Sequence, residues 1–178
     1  NLLSHLSGIS THTNKIVRIA KKVNPNVEIL ATRKTLPGLR DIEKRAVVHG
    51  GGATHRMRLD DAILIKDNHL KLSKNIKKSI EISRSKYPNL MVEVEADNEQ
   101  QAIEIAKNGA DRVMLDNFSP DEATATIRKL REISDIEIEI SGGVTIENIA
   151  SYAKKADFIS LGSLTMSSLP VDFSLHVL

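Results

Sequence analysis

Met91-Val92-Glu93-Val94-Glu95, Arg112-Val113-Met114-Leu115-Asp116 and Ile136-Glu137-Ile138-Glu139-Ile140, with the segments between them, decide the fold class. Each run is about five residues, rich in Val, Ile and Leu, which suits a buried strand better than a helix. Between the first two, Ala102, Ile103 and Ala106 fall at helical spacing, and between the second and third Ile127 lies three residues before Leu130. Strand alternating with helix in this way predicts βαβ units and a parallel sheet.

The same rhythm extends outward. Val27–Ala31, Ala62–Lys66 and Asp157–Leu161 supply three more apolar runs, for six predicted strands, and Ile76 and Ile80 mark another helix face. Asp97 followed by Gln100 predicts a capping box, and Ser119-Pro120-Asp121-Glu122 predicts a hydroxyl cap with proline at the first helical position. Thr145 is the expected cap of a helix through Ile149 and Ala153, and Gly109 the expected left-handed stop after Ala106-Lys107-Asn108. Asn1-Leu2-Leu3-Ser4-His5-Leu6 has no basic segment leading into an apolar one, so it does not read as a signal peptide. It reads as helix interior, which predicts that residues 1–178 are one α/β catalytic domain cut from a longer chain. Six strands fit either an open doubly wound sheet or a (β/α) barrel. A full eight-unit barrel takes ~250 residues, so a barrel here has to be incomplete.

Composition removes several classes of function. The 178 residues carry 25 basic and 23 acidic side chains, a net charge of +2, with 40% hydrophobic and 27% charged residues. That balance argues against disorder, and runs such as Ala62-Ile63-Leu64-Ile65 fall far short of the ~20 residues of a membrane span. With no cysteine, disulfides, thiolate metal sites and cysteine nucleophiles are excluded. Aromatic residues make up only 3% of the chain, too few for a base-stacking surface. Nothing points to secretion, and a cytoplasmic protein is expected.

The chemistry gathers at the carboxyl ends of the predicted strands. They are followed in turn by Thr32-Arg33-Lys34, Lys66-Asp67-Asn68-His69, Glu95, Asp116-Asn117, Ser141-Gly142-Gly143 and Gly162-Ser163. In parallel α/β folds that end is where ligands bind. Arg33, Lys34, His55, Arg56 and Lys66 are donors suited to carboxylate or phosphate. Lys66, closing an apolar run, is expected to be partly buried and therefore to need a partner. Glu93 and Glu95 share one strand face; Glu95 and Asp116 offer hard oxygens for Mg²⁺ or sugar hydroxyls, or else pair with the nearby cations. Gly50-Gly51-Gly52, Ser141-Gly142-Gly143-Val144-Thr145 and Gly162-Ser163 allow backbone amides to approach an anion, the second followed directly by a helix. These residues predict an enzyme for an anionic, phosphorylated ligand, with the reaction type left open.

In order along nearly the whole chain, Thr32-Arg33-Lys34-Thr35-Leu36-Pro37-Gly38-Leu39-Arg40, Glu43-Lys44, Gly50-Gly51-Gly52, His55-Arg56, Lys66-Asp67-Asn68-His69, Glu93-Val94-Glu95, Leu115-Asp116-Asn117, Ser141-Gly142-Gly143-Val144 and Gly162-Ser163-Leu164-Thr165 resemble the motifs of the quinolinate phosphoribosyltransferases. The resemblance implies an incomplete (β/α) TIM-like barrel of about six to seven parallel strands, normally preceded by a sandwich-like domain and working as a homodimer. It implies transfer of phosphoribosyl from phosphoribosyl pyrophosphate to quinolinate with decarboxylation, giving nicotinate mononucleotide for NAD biosynthesis. Arg33, His55, Arg56 and Lys66 would hold the quinolinate carboxylates and Lys34 the phosphoribosyl donor. Glu95 and Asp116 would serve ribose and Mg²⁺, the one cofactor implied, while Ser141, Gly142, Gly143, Gly162 and Ser163 would hold phosphate. Lys66, Glu95 and Asp116 are the residues implied in catalysis. Two positions depart from the motifs: Ala31 stands where aspartate is frequent, and Met166, which cannot donate to a phosphate, where histidine is usual. Competing expectations are a related protein encoded with molybdenum-transport genes, an aldolase forming a Schiff base on Lys66, and a phosphometabolite-binding module.

Overall fold

The computed structural model describes residues 1–73 and 75–177. Among them seven parallel strands form one sheet: β1 (Glu28–Ala31), β2 (Ala53–Thr54), β3 (Ile63–Ile65), β4 (Val92–Ala96), β5 (Arg112–Asp116), β6 (Glu137–Ser141) and β7 (Phe158–Leu161). Their spatial order is β2-β1-β7-β6-β5-β4-β3. From β3 to β7 each strand pairs with its successor in the chain, while β1 pairs β7, Ala31 opposite Leu161. β2 and β3 are neighbours in sequence yet form the two unjoined edges, so the sheet is a curled half-barrel rather than a closed one. The six predicted strands are all present. The seventh, β2, has two residues and no apolar run, and it exists because Ala53 and Thr54 extend the sheet beside Leu30 and Ala31.

The described residues also form eight helices: α1 (Leu2–Val23), α2 (Arg40–His49), α3 (Asp67–Ser73), α4 (Ile76–Lys86), α5 (Glu99–Lys107), α6 (Pro120–Ile133), α7 (Ile149–Ala153) and α8 (Ser163–Met166). None of the described helices is long and apolar enough to cross a membrane. α1 buries Ile9, Thr13, Ile16 and Ala20, a stripe spaced by three and four residues, and packs on α2 and α7.

The helix boundaries follow local chemistry, with two corrections. Ser119 caps α6 in a full capping box with Glu122, Pro120 standing in the first turn. Gly109 takes φ +78° just past the end of α5. The cap of α5 is Asn98, not Asp97: the Asn98 side chain accepts from the Gln101 N–H, and Gln101 accepts from the Asp97 N–H. The cap thus falls one position later than expected, with Gln101 rather than Gln100 returning the side-chain bond. Thr145 does not cap α7; it opens a turn in which its N–H donates to Asn148 Oδ1, so the helix begins at Ile149.

Strand alternation sorts the two sheet faces. Val92, Val94 and Ala96 of β4, Val113 and Leu115 of β5, Ile138 and Ile140 of β6, and Ile159 and Leu161 of β7 join one apolar core with Ile16, Val47, Ile80, Ile105, Leu130 and Ile149 of the helices. The intervening residues, Glu93, Glu95, Arg112, Asp116, Glu139, Ser141 and Ser160, face the concave side. The core therefore lies between sheet and helices, and the interior of the half-barrel is charged.

Candidate active site

Strand direction delivers the polar loops to one end of the sheet, where they surround a cavity of about 640 Å³. Arg33, Lys34, His55, Arg56, Lys66, Glu95, Asp116, Ser141, Gly142, Gly143, Gly162 and Ser163 all line it. Every residue to which the resemblance gave a role is thus brought to one mouth, whose volume is typical of small-molecule sites.

The floor is a buried ion network. The His55 ring, 8% exposed, points Nε2 at Glu93 Oε2 (2.8 Å) and Glu139 Oε2 (3.3 Å). Arg112 reaches Glu139 from beneath at 3.2 Å, pairs with Glu137 at 2.8 Å and lies over the Phe158 ring. Burial opposes a charged His55, but its hydrogen bonds to Glu139 and Glu93 outweigh that and lift the imidazole to about 9. The Arg56 N–H, which points at His55 Nδ1 (2.8 Å), would lose its acceptor on that protonation and pulls the other way. Burial pushes the Glu93 carboxyl up. Burial acts on Glu139 too, yet the His55 hydrogen bond holds it below the usual carboxylate range. The three residues resemble a metal-ligand set, with their ligand atoms all within 4.8 Å of one another. Arg112 and His55 already supply the compensating charge. Glu139 and Ser160, which composition and motif did not single out, also line the cavity.

One wall is cationic and has no counter-ions. Among the described residues Arg33, Lys34 and Arg56 make no ion pair with a carboxylate. Arg33 Nε is buried with no hydrogen-bond partner, a vacancy that an anion's oxygen satisfies. Arg56 is held by its bond to the Ala62 carbonyl, and Thr165 of α8 donates its hydroxyl to the Lys34 carbonyl. The expected burial of Lys66 is corrected here. Lys66 is 46% exposed, and Lys44, on the inner face of α2, is the buried lysine at 1%.

The opposite rim is acidic. Lys66 Nζ pairs with Glu95 Oε2 at 2.8 Å, so Glu95 has a partner from its neighbouring strand. The Lys66 N–H in turn donates to His69 Nδ1 (2.9 Å), which gives the Lys-Asp-Asn-His motif a local structural purpose. Asp116 accepts from Asn117 Nδ2 at 2.6 Å. Burial, then the Glu95 charge, push the Asp116 carboxyl up, with Lys66 opposing. Two neighbouring hard carboxylates, one of them disfavoured as an anion by burial and by the other's charge, are a donor set that a divalent cation relieves. Glu95 and Asp116 therefore fit Mg²⁺.

The glycine loops separate into two kinds. Gly142 has φ +80°, and an added Cβ would fall 2.3 Å from Asn117 Oδ1; Asn117 is itself left-handed at φ +58°. This pair of left-handed residues places the Ser141–Gly143 loop beside Asp116. The loop has no helix terminus directly behind it, since α7 starts only at Ile149, which corrects the expectation of a helix directly after the loop. Gly50-Gly51-Gly52 is absent from the cavity wall: it turns α2 into β2 and is pressed against Ser10 and Thr13 of α1. Its glycines serve close packing.

A model of the quinolinate phosphoribosyl transferase C-terminal domain matches residues 9–176. The chain is 45% identical to a probable nicotinate-nucleotide pyrophosphorylase (carboxylating) of Methanocaldococcus jannaschii, covering 99% of this chain and 65% of that protein. It is 37% identical to the human nicotinate-nucleotide pyrophosphorylase (carboxylating), covering 99% of this chain and 61% of the relative. Among solved structures, NadC from Streptococcus pyogenes superposes with a TM-score of 0.90 at 39% identity, over 98% of this chain and 60% of that one. The chain thus spans less than two thirds of the length of these three relatives.

Proposed function

The chain belongs to the quinolinate phosphoribosyl transferase family, and from that membership we propose that it carries the catalytic centre that joins quinolinate to phosphoribosyl pyrophosphate. The observation that carries the proposal is the wall formed by Arg33, Lys34 and Arg56, cations without carboxylate partners, facing Glu95, Asp116 and two glycine loops across one cavity. A vicinal dicarboxylate satisfies the first set, Arg33 and Arg56 gripping its oxygens as forks. His55 adds positive charge behind them, and Lys66 reaches the ligand from the rim. Lys34 and the Ser141–Gly143 and Gly162–Ser163 amides take the phosphates of the donor. Glu95 and Asp116 take the ribose hydroxyls and hold Mg²⁺, directly or through substrate and water. Magnesium, when bound, supplies positive charge that neutralises the pyrophosphate as it departs.

The residues then act by placement. The cationic wall holds the pyridine ring with its nitrogen toward the anomeric carbon; that C–N bond forms as the bond from carbon to pyrophosphate oxygen breaks. The Glu95 and Asp116 carboxylates favour the oxocarbenium-like charge that develops on the ribose. Quaternisation makes the ring an electron sink. The bond to the adjacent carboxylate breaks with its electron pair left on the ring carbon, carbon dioxide leaves, and a solvent proton takes its place. The product is nicotinate mononucleotide, and assembly as a homodimer in the cytoplasm accompanies the proposal.

The aldolase alternative requires a neutral lysine, and Lys66 is an ion-paired one. The test is release of labelled carbon dioxide from carboxyl-labelled quinolinate by the full-length protein. Release is expected only with phosphoribosyl pyrophosphate and Mg²⁺ together. Equal efficiency with nicotinate, which lacks the second carboxylate, would overturn the dicarboxylate assignment.

A further inference from the structure

Lys44 is among the largest fully buried side chains of the protein, and its ammonium has no carboxylate within ion-pair distance among the described residues. It donates instead to two carbonyls, His55 at 3.0 Å and Arg56 at 2.7 Å. The carboxylate next to it in sequence is turned elsewhere: Glu43 accepts from the Leu36 N–H and meets His5 Nε2. Of the charges that act on Lys44, Arg40, Arg33 and Arg56 are positive. The one negative charge, Asp61, has Oδ2 committed to the Met57 and Arg58 amides.

A fold gains nothing from this arrangement by itself. Burying an ammonium without a counter-charge is costly, and a methionine of similar length fills the same space without that cost. Two features make it intelligible. The carbonyls that Lys44 grips belong to the two residues whose side chains face the cavity, so the ammonium fixes how that pair is presented. Its charge also joins the uncompensated set on the cationic wall.

We propose that Lys44 is a positioning residue of the dicarboxylate site, bracing the His55–Arg56 backbone while leaving its own positive charge for the bound anion to balance. This rests on the functional reading above. Burial, followed by the Arg40 and Arg33 charges, brings the lysine down to about 8. A bound dianion acts in the opposite direction, so binding near pH 8 draws a proton onto Lys44.

Calorimetry on the full-length protein, in buffers of different ionisation enthalpy, reads both effects. The probes are quinolinate and phthalate, which has the same vicinal carboxylates and no nucleophilic nitrogen. At about pH 8 the wild-type protein should take up as much as about half a proton more per site than Lys44→Met, the difference vanishing near pH 6. Lys44→Met should weaken dicarboxylate binding about tenfold to a hundredfold, as expected for two lost charge-assisted hydrogen bonds, and change binding of phosphoribosyl pyrophosphate by less than about twofold. Lys44→Gln, an uncharged donor, should regain part of the affinity and none of the proton uptake. Wild-type binding that both variants reproduce, with the same uptake, overturns the proposal alone. Failure of the wild-type protein to bind either dicarboxylate overturns the functional reading and the proposal with it.

Discussion

Two groups of buried charge meet at His55 and Arg56, and they are built on opposite rules. Below, His55 and Arg112 face Glu93 and Glu139, cation against anion, so the network neutralises itself. Beside it, Arg33 and Arg56 line the cavity with Lys44 behind them, and among the described residues none of the three makes an ion pair with a carboxylate. The first group behaves as interior material: its charges are answered by opposite charges inside the protein, even though Glu93 Oε1 and Glu139 Oε1 have no hydrogen-bond partner, and the fold depends on those pairs. The second is incomplete without something from outside. In a half-barrel whose concave side mixes charged residues with Leu64 and Met114, the difference between compensated and uncompensated charge separates the part that holds the fold from the part that holds a ligand.

The sharpest way to break this contrast is Glu139→Ala. It strips Arg112 and His55 of a buried carboxylate and should destabilise the protein by about 3–5 kcal/mol in urea unfolding. A loss comparable with an exposed-site change, below about 0.5 kcal/mol, would show that the network is not internally required. Arg33→Ala probes the other side: it should weaken quinolinate binding by about 2–5 kcal/mol by calorimetry, with unfolding stability nearly unchanged. If stability falls instead of affinity, Arg33 belongs with the compensated group.

Gly142→Ala tests the glycine rim, outside either charge group. The left-handed backbone and the collision with Asn117 should cost about 1–3 kcal/mol, and binding of phosphoribosyl pyrophosphate should suffer while phthalate binding does not. The smallest effect is in the pH dependence of stability. His55, raised from 6.5 to about 9 on folding, contributes stability that is complete below pH 6.5 and lost as pH rises through 9. Lys44, lowered from 10.5 to about 8, carries a folding cost that is complete below pH 8 and relieved as pH rises toward 10.5. The two slopes oppose each other between pH 8 and 9. Lys44→Met should therefore lose stability more steeply across that interval than the wild-type protein, measured by denaturant midpoints. Equal slopes would mean Lys44 titrates as it does in the unfolded chain.

The predicted strands were legible because each carries apolar residues, continuous in Ala62-Ile63-Leu64-Ile65 and alternating with charged ones in Ile136-Glu137-Ile138-Glu139-Ile140, that strand geometry places against a helix. β2 was not, since Ala53 and Thr54 become a strand only by pairing with β1. The rim residues were legible because parallel strands deliver their ends to one place. Burial of individual charges was not. Lys66 closes an apolar run yet extends to solvent, whereas Lys44 lies among polar residues of α2 and is enclosed by tertiary contacts. Glu139 did leave a trace: Glu137, Glu139 and Ser141 alternate with Ile138 and Ile140, the parity that places Glu93 and Glu95 on the concave face. That His55 would turn its Nε2 toward Glu93 and Glu139 depends on strand register, which no local pattern discloses.

The order of the strands has a consequence for how this centre comes together. Arg33, Lys34, His55 and Arg56 follow β1 and β2, whereas Lys66, the acids and the Ser141–Gly143 loop stand at the ends of β3, β4, β5 and β6, and the two sets are joined through the ladder between β1 and β7. The β3–β7 pairs close short loops, but β1 and β7 come from near opposite ends of the chain, so their union carries the larger entropic cost. A molecule gripping both sets at once spans that seam and stabilises it by mass action. Saturation with phosphoribosyl pyrophosphate, which Lys34 would share with the acids and the glycine loops, should therefore slow hydrogen–deuterium exchange at Ile29, Ala31 and Ile159 more than at Val113, and uniform slowing would argue that the seam is no weaker than the rest.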